Sequence, residues 1–325
     1  MAFFTPLSLG DAKRIGERYG LNVEAVRGIP EGSVNSNYEI RTAGGGRVFL
    51  RIFEEQALES AAREARMLDH LAARGVPTPK PLARIDEPGF VCSFAEKPVA
   101  IFPWIEGEAL CSKRVTADAA FRVGDALARV HLAGADLDGA PLSRFRPANL
   151  EARIASIPQA AAAQSDELAS TLHELSAKLA QVSRVSRSDP PRRGVIHGDL
   201  FRDNVIWRGP AIAALLDFES ASRGSPVFDL SVTLLAWCYG DDLSAELCRA
   251  LVAGYQEIRP LSPAERGAIF HEARFAAIRF SITRITDYEL RPRGRGVFKD
   301  YRRFLARLRA IEALGEAGLL THLGL

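Results

Sequence analysis

The sequence predicts an α+β fold with two lobes, a small N-lobe rich in β-strands and a larger, mainly helical C-lobe. Three observations predict it. The first hundred residues carry strand patterns around one amphipathic helix, helical patterns dominate beyond residue 106, and 325 residues exceed one ordinary domain. We place the lobe boundary after residue 105, which gives an N-lobe of residues 1–105 and a C-lobe of residues 106–325.

In the N-lobe, the strand patterns come first along the chain. Strands are predicted over residues 23–29, 36–42, 48–53 and 90–105. Glycines at 44–46 predict a hairpin turn, because glycine adopts a positive φ at little cost. An amphipathic helix is predicted over residues 53–74, and the segment 101–107 is interpreted as the hinge that follows the last strand.

In the C-lobe, helices alternate with two polar loops. Helices are predicted over residues 117–132, 150–182 and 230–239. Loops are predicted over residues 134–149 and 183–193, where the second loop carries Pro190 and Pro191. Short strands are expected on both sides of a polar loop that begins near residue 197.

The composition excludes several functional classes. Lys and Arg number 42 against 40 Asp and Glu, so the net charge of +2 argues neither for nor against a polyanionic partner. Four cysteines without a CxxC pair favour neither a disulfide framework nor a zinc site, and fit a cytoplasmic protein. We expect no membrane span, because no apolar run approaches about 18 residues. The basic stretch 291–309 is interpreted as a solvated helix face and loop, and not as a nucleic-acid surface.

The segment Val195-Ile-His-Gly-Asp-Leu-Phe-Arg-Asp-Asn-Val-Ile-Trp207 is the most informative motif. It predicts strand, polar loop and strand, with Asp199 and Asn204 five residues apart on the loop, and a second apolar run ends at Asp217. Phosphoryl transfer needs such a set, because Mg²⁺ takes oxygen ligands and an attacking hydroxyl needs a proton acceptor. We therefore predict Asp199 as the catalytic base and Asn204 and Asp217 as metal ligands in a protein-kinase-like fold.

Four further positions agree with kinase chemistry. Arg51, on a strand, and Glu64, inside the apolar stripe of the next helix, occupy the places of the kinase Lys–Glu pair that grips the phosphates. An ordinary ion pair is the alternative for them. His197 is interpreted as a structural brace for Asp199. Asp229 is interpreted as a helix N-cap that also braces the catalytic loop.

The turn-rich segment Gly28–Asn37 is the candidate phosphate cover. It offers small or polar groups at Gly32, Ser33 and Asn35 between two strands. The segment matches neither GxGxxG nor a Walker A loop, so a plain hairpin turn is the alternative.

The chain resembles the homoserine kinases of the aminoglycoside phosphotransferase and choline kinase superfamily. The resemblance lies in the segments already described and in four others. These are Arg27–Tyr38, Val130–Asp136, Phe228–Cys238 and Ile278–Asp287. It implies ATP as donor, L-homoserine as acceptor and a role in threonine biosynthesis. It also implies that the hinge, with Phe102 and Trp104, binds adenine through backbone groups.

An acceptor with an ammonium and a carboxylate needs partners of both charges. Asp203, Arg284 and Asp287 are candidates, although each could equally form a structural ion pair. A choline or ethanolamine kinase, an aminoglycoside kinase and a catalytically silent kinase-fold binding protein stay open as alternatives. The oligomeric state is left open as well.

Overall fold

The computed structural model describes residues 5–30, 34–162, 165–184, 193–291 and 298–325. Its α-helices are α1 (Leu9–Glu17), α2 (Leu58–Ala73), α3 (Ala117–Ala133), α4 (Pro147–Ala155), α5 (Gln159–Ala162), α6 (Asp166–Ser183), α7 (Pro226–Trp237), α8 (Ala245–Ile258), α9 (Pro263–Arg266), α10 (Ile269–Arg284) and α11 (Arg302–Leu323). Its strands are β1 (Val23–Ile29), β2 (Ser36–Thr42), β3 (Arg47–Ile52), β4 (Val91–Phe94), β5 (Lys97–Pro103), β6 (Glu108–Ala109), β7 (Gly194–Ile196), β8 (Val205–Arg208), β9 (Ala211–Leu215) and β10 (Ser222–Gly224).

The chain divides into two compact units. The first holds the described residues of Met1–Glu108 together with Ile206–Glu219, and the second holds those of Ala109–Val205 and Ser220–Leu325. The first unit is rich in strands and the second is mainly helical, which confirms the predicted α+β fold. The predicted boundary after residue 105 does not anticipate that Ile206–Glu219 returns to the first unit. Among the described residues, no helix is long and apolar enough to cross a membrane.

The first unit is built on a five-stranded antiparallel sheet. The strand order is β1-β2-β3-β5-β4, and Gly44 and Gly45 between β2 and β3 have the positive φ that the sequence predicts. Ile40, Leu50 and Ile101 form part of the buried core on this sheet. Helix α1 packs there too through Ala12 and Ile15. The sequence analysis missed this helix, which is short and begins at a capping box between Ser8 and Asp11.

Helix α2 begins at Leu58, later than the predicted start at residue 53. The backbone N–H of Phe53 donates to Pro98 O, which continues the sheet pairing one residue beyond β3. The Glu54 side chain is held by three neighbouring polar groups, and Ala57 has the extended conformation of an N-cap. Tertiary hydrogen bonds therefore keep residues 53–57 out of the helix, although their composition permits one.

The second unit is organised around closely packed helices. A Cβ atom on Gly124 of α3 would overlap the carbonyl oxygen of Leu251 in α8, and one on Gly254 would overlap the carbonyl of Phe121. Only glycine allows this approach of the two helices. Every residue of α7 is buried, as its uniformly apolar sequence predicts.

Two predicted helices of the C-lobe have different bounds in the structure. The segment 150–182 contains parts of α4, α5 and α6, and Pro158, which lacks the N–H that a continuous helix needs, separates α4 from α5. The helix predicted to begin at residue 230 begins at Pro226, with Ser225 as its N-cap. Asp229 therefore lies inside the first turn of α7, and the interpretation of Asp229 as the N-cap is wrong.

Candidate active site

The loop after β7 is fixed by the buried carboxylate of Asp229. The backbone N–H of His197 donates to Asp229 Oδ2 at 2.6 Å, and that of Gly198 donates to Oδ1 at 2.7 Å. Gly198 has a φ of +78°, and a Cβ there would lie 2.9 Å from Ser220 O, so the turn requires glycine. The Asp229 side chain of α7 thus fixes the backbone conformation of this loop at His197 and Gly198.

His131 of α3 supplies the third hydrogen bond to Asp229. Its Nε2 lies 3.0 Å from Asp229 Oδ2, and both side chains are completely buried. Burial alone would raise the pKa of Asp229, but the His131 hydrogen bond, the charges of His131 and His197 and the Gly198 amide hold that pKa below its ordinary value. The ionised carboxylate only accepts hydrogen bonds, so His131 Nε2 carries the proton.

The hydrogen bonds continue from His131 to the surface of the second unit. Tyr255 Oη lies 2.7 Å from His131 Nδ1, and Arg259 Nη1 donates to the same oxygen at 3.1 Å. Arg259 also pairs with Glu265. Because Arg259 Nη1 donates to Tyr255 Oη, the Tyr255 hydroxyl proton is available to His131 Nδ1. The contacts of Tyr255 and Asp229 with the two ring nitrogens fix the orientation of the His131 ring.

Asp199 and Asn204 are brought together within the loop. Asn204 Nδ2 donates to the backbone oxygen of Asp199 at 2.8 Å, and the backbone N–H of Phe201 donates to the same oxygen at 2.7 Å. The backbone N–H of Asp199 donates to His197 Nδ1 at 3.2 Å. The Asp199 carboxylate is therefore presented from a backbone that is held on both sides, and His197 occupies the bracing place that the sequence predicts.

Asn204 fits the role of a metal ligand. Its Nδ2 is used by the loop, so its Oδ1, a hard oxygen, is the atom left for a ligand. Among the described residues, no group of three His, Cys, Asp or Glu side chains could hold a metal ion by itself. The assignment of Asn204 as a metal ligand stays a prediction.

Arg279 of α10 lies near the Asp199 carboxylate. Its Nη1 is 3.6 Å from Asp199 Oδ1, and its guanidinium lies between the rings of Phe145 and Phe280. The side chain is buried, and burial lowers the pKa of Arg279 to about 10. The sequence analysis did not select this residue as a site residue.

The three candidate acceptor residues have different surroundings. Asp203 is exposed, in the 3-10 turn Arg202–Asn204. Arg284 donates to the backbone oxygen of Asp300 at 2.9 Å, and Asp287 pairs with Arg153 at 2.7 Å. Arg284 and Asp287 are thus already engaged, and their role in acceptor binding stays a prediction.

In the first unit, Asp217 follows β9 with an unusual backbone. Its φ is +61°, the left-handed region that non-glycine residues seldom adopt. The preceding strand is anchored by Leu215, whose N–H donates to Pro77 O and whose carbonyl accepts from the Thr78 hydroxyl. Strain of this kind concentrates at functional sites, which agrees with the predicted metal ligand.

Glu64 is a buried carboxylate beside Asp217 and Arg51. It is 9% exposed, and Gln56 Nε2 donates to its Oε2 at 3.0 Å. Burial raises the pKa of Glu64, the charge of Arg51 opposes that rise, and the like charge of Asp217 adds to it. Arg51 Nε itself donates to Asn37 Oδ1 at 3.3 Å. Arg51 and Glu64 are thus close enough to interact electrostatically. Phosphate binding by these two residues stays a prediction.

The predicted phosphate cover is described in part. Gly32 and Ser33 lie outside the described residues. Asn35 is buried, and its Oδ1 accepts the backbone N–H of Glu54 at 3.2 Å. The Glu54 carboxylate also accepts from the Thr5 hydroxyl at 3.0 Å and from Lys97, so the end of this loop is tied to β3 and β5.

The hinge positions lie at the end of β5. Phe102 is buried in the strand, and the guanidinium of Arg47 lies 4.8 Å from the centroid of Trp104. The backbone oxygen of Ile101 accepts from Leu82 N–H at 2.8 Å. Adenine binding by backbone groups at Phe102 and Trp104 stays a prediction.

Three arginines of the basic C-terminal stretch have partners among the described residues. Arg302 pairs with Glu167 at 2.7 Å, and Arg309 lies 3.7 Å from Glu174. Arg307 is buried and donates to Leu235 O at 2.8 Å. Arg293 and Arg295 lie outside the described residues.

Comparison with known proteins decides the family. The model of the phosphotransferase enzyme family matches residues 25–261. The chain belongs to this family. The phosphotransferase is therefore an enzyme that transfers a phosphoryl group from ATP to a hydroxyl of a small molecule, with a nucleotide and a divalent metal ion.

Curated relatives match the phosphotransferase along its whole length. The homoserine kinase of Methylocella silvestris is 36% identical over 323 residues, which cover 98% of each chain. The homoserine kinase of Brucella anthropi is 34% identical over 333 residues, again 98% of each chain.

Solved structures share its fold at low sequence identity. A spectinomycin phosphotransferase in complex with ADP and spectinomycin has a TM-score of 0.70 and 13% identity, over 96% of this chain and 100% of the other. An amicoumacin kinase in complex with AMP-PNP and Ca²⁺ has a TM-score of 0.67 and 14% identity, over 94% and 93%.

Proposed function

We propose that this phosphotransferase converts L-homoserine to O-phospho-L-homoserine, a step of threonine biosynthesis. The observation that carries the proposal is the match of the whole chain to curated homoserine kinases at 33–36% identity. The four cysteines are free thiols, which fits the cytoplasm, the compartment that we propose.

We propose Asp199 as the group that orients the acceptor hydroxyl and accepts its proton. Its backbone is fixed by Asn204 and His197, so the carboxylate is positioned before the substrate binds. A positioned base contributes about 10² to 10⁴ in rate, and positioning and electrostatics supply much of the rest.

For the nucleotide we propose Arg51 as the phosphate ligand, with Glu64 near it. Asn204 and Asp217 are proposed as the protein ligands of Mg²⁺. The ion would neutralise charge on the phosphates when bound. The proposed ligands are an amide oxygen and a carboxylate, which Mg²⁺ prefers over softer groups.

The test is ADP release from purified protein with Mg-ATP, across homoserine, choline, ethanolamine, kanamycin and no acceptor. We expect strong stimulation by homoserine alone. Stimulation by choline, ethanolamine or kanamycin instead would replace the proposed acceptor, and no stimulation by any would support a silent binding protein.

Asp199→Asn tests the catalytic role. We expect a loss of about 10² to 10⁴ in kcat with nucleotide affinity retained, because the side chain keeps its shape and loses its basicity. Titration calorimetry with Mg-ATP measures the affinity, and Asp118→Asn on α3 is an exposed matched control. Equal turnover in Asp199→Asn and wild type would remove Asp199 from this role.

A further inference from the structure

Two arginines of the second unit share one aromatic ring beside Asp199. The guanidinium carbon of Arg279 lies 3.9 Å from the ring centroid of Phe145, and that of Arg144 lies 5.0 Å from the same centroid. Arg279 is 3% exposed, whereas Arg144 is exposed. Arg279 is thus buried, whereas the exposed Arg144 can contact a ligand that arrives from solvent.

The hydrogen-bonding capacity of Arg279 is poorly used. Its Nε and Nη1 are buried and find no hydrogen-bond partner among the described residues. Its ion pair with Asp199, at 3.6 Å, is longer than a hydrogen bond. Since buried donors without partners are destabilising, a guanidinium held this way points to an acceptor group that arrives with a ligand.

Both positive and negative charges act on the buried Arg279. Burial is the main cause of the lowered pKa of Arg279, Asp199 opposes it, and the charges of Arg144 and Arg153 lower it further. Arg153 is balanced by Asp287. Arg144 and Arg153 thus add positive charge near Arg279, and the charge of Asp199 opposes it.

We propose that Arg144 and Arg279 determine acceptor specificity by binding a carboxylate of the acceptor while its hydroxyl lies at Asp199. The inference rests on the proposed function and adds the chemical group that the site selects. A guanidinium matches a carboxylate with two parallel hydrogen bonds. A polycationic acceptor such as an aminoglycoside would meet repulsion here.

Two acceptors that differ from homoserine by one group test the carboxylate. The compound 3-aminopropan-1-ol is homoserine without its carboxylate, and 4-hydroxybutanoate is homoserine without its ammonium. For wild type we expect kcat/KM to fall about 10- to 100-fold for 3-aminopropan-1-ol, as expected for a charged hydrogen bond. We expect a smaller loss for 4-hydroxybutanoate.

Two variants assign the effect to the arginines. Arg144→Met should raise KM for homoserine about tenfold and leave kcat/KM for 3-aminopropan-1-ol unchanged, because that acceptor has no carboxylate to lose. Arg279→Lys keeps a charge without the planar fork, so it should also reduce the preference for homoserine. Arg122→Met, an exposed arginine of α3 paired with Asp118, is the matched control.

The outcomes separate this inference from the proposed function. If wild type phosphorylates no homoserine, the proposed function fails and the inference with it. If wild type prefers homoserine but both variants lower kcat/KM equally for the two acceptors, the arginines only support the fold or Asp199, and the inference alone is overturned. If Arg279→Lys does not fold, the acceptor ratio of Arg144→Met decides.

Discussion

Each unit of the molecule holds a buried carboxylate beside its proposed site residues, and the pKa values of these two carboxylates shift in opposite directions. Asp229, in the second unit, receives hydrogen bonds from two backbone amides and from His131, and its pKa is lowered. Glu64, in the first unit, receives one from the neutral Gln56, and its pKa is raised.

The difference follows from how many donors reach each carboxylate. Asp229 is fully buried, yet its hydrogen bonds outweigh the loss of solvation, so its charge is part of the folded structure. Glu64 has fewer donors for its burial, so the loss of solvation outweighs the stabilisation that Arg51 and Gln56 give to its charge. A carboxylate left in this state is a candidate functional group, and one that is saturated is a structural one.

The largest expected effect is that of Asp229→Asn. The amide cannot accept from two backbone N–H groups and His131 as the carboxylate does, so we expect the free energy of unfolding to fall by about 3–5 kcal/mol. Urea denaturation followed by circular dichroism measures it. Asp118→Asn, at an exposed position of α3, should leave the unfolding free energy within error of wild type. A loss for Asp229→Asn as small as that of this control would contradict the structural role of Asp229.

The second prediction is that Glu64→Gln affects nucleotide binding more than stability. The amide fits the same space without a poorly solvated charge, so the unfolding free energy should change little. Loss of the charge beside Arg51 should raise KM for ATP about tenfold, which corresponds to about 1.4 kcal/mol. Steady-state kinetics at saturating acceptor measures KM, and Glu59→Gln on the same helix is the control. An unchanged KM for ATP would assign Glu64 to the fold alone.

A smaller effect is expected for Tyr255→Phe. The change removes the hydroxyl between Arg259 and His131 but keeps the ring, so we expect a loss of about 1 kcal/mol in unfolding free energy. Because Asp229 keeps its amide donors, kcat should fall less than in Asp229→Asn. A stability loss equal to that of Asp229→Asn would show that the tyrosine, and not the amide contacts, holds the carboxylate.

The smallest effect is the pH dependence of stability, which should have opposite signs for the two carboxylates. The pKa of Asp229 lies below its ordinary 3.8, so its contribution is present above that pH and is lost as the pH falls through the folded value. The pKa of Glu64 lies above its ordinary 4.5, so its contribution is present below that pH and is lost as the pH rises through the folded value.

Denaturation of Glu64→Gln and wild type between pH 4 and pH 8 measures the second sign. We expect the variant to gain stability relative to wild type as the pH rises from about 4.5. A difference that is constant across this range would show that burial does not raise the pKa of Glu64.

Much of the fold was predictable because its signals are local. The bounds of β1 and β2 agree with the prediction to the residue, and α3 differs by one residue at its end. Their alternation or helical periodicity depends only on nearby positions. The start of α2 was not predictable, because Phe53 and Glu54 are held by Pro98 and Lys97, which are distant in sequence.

The candidate site shows the same division. Asp199, Asn204 and His197 share one short segment, so their spacing along the chain was enough to select them as candidate site residues. His131 and Arg279 were not selected from the sequence, since each lies in a helix that is distant in sequence from the loop at residues 197–204. Neither residue belongs to a local motif. Their only signal was a place in segments that resemble the family, Val130–Asp136 and Ile278–Asp287.

The sequence by itself determined the strands, most helices and the polar loop with its acidic and amide residues, because these depend on spacing along the chain. The tertiary structure decided what those groups contact and in which direction their pKa values shift. Burial and donors from distant helices lower the pKa of Asp229, raise that of Glu64 and place Arg279 at Asp199. Desolvation and through-space contacts arise only when distant segments pack, so no local pattern could reveal them.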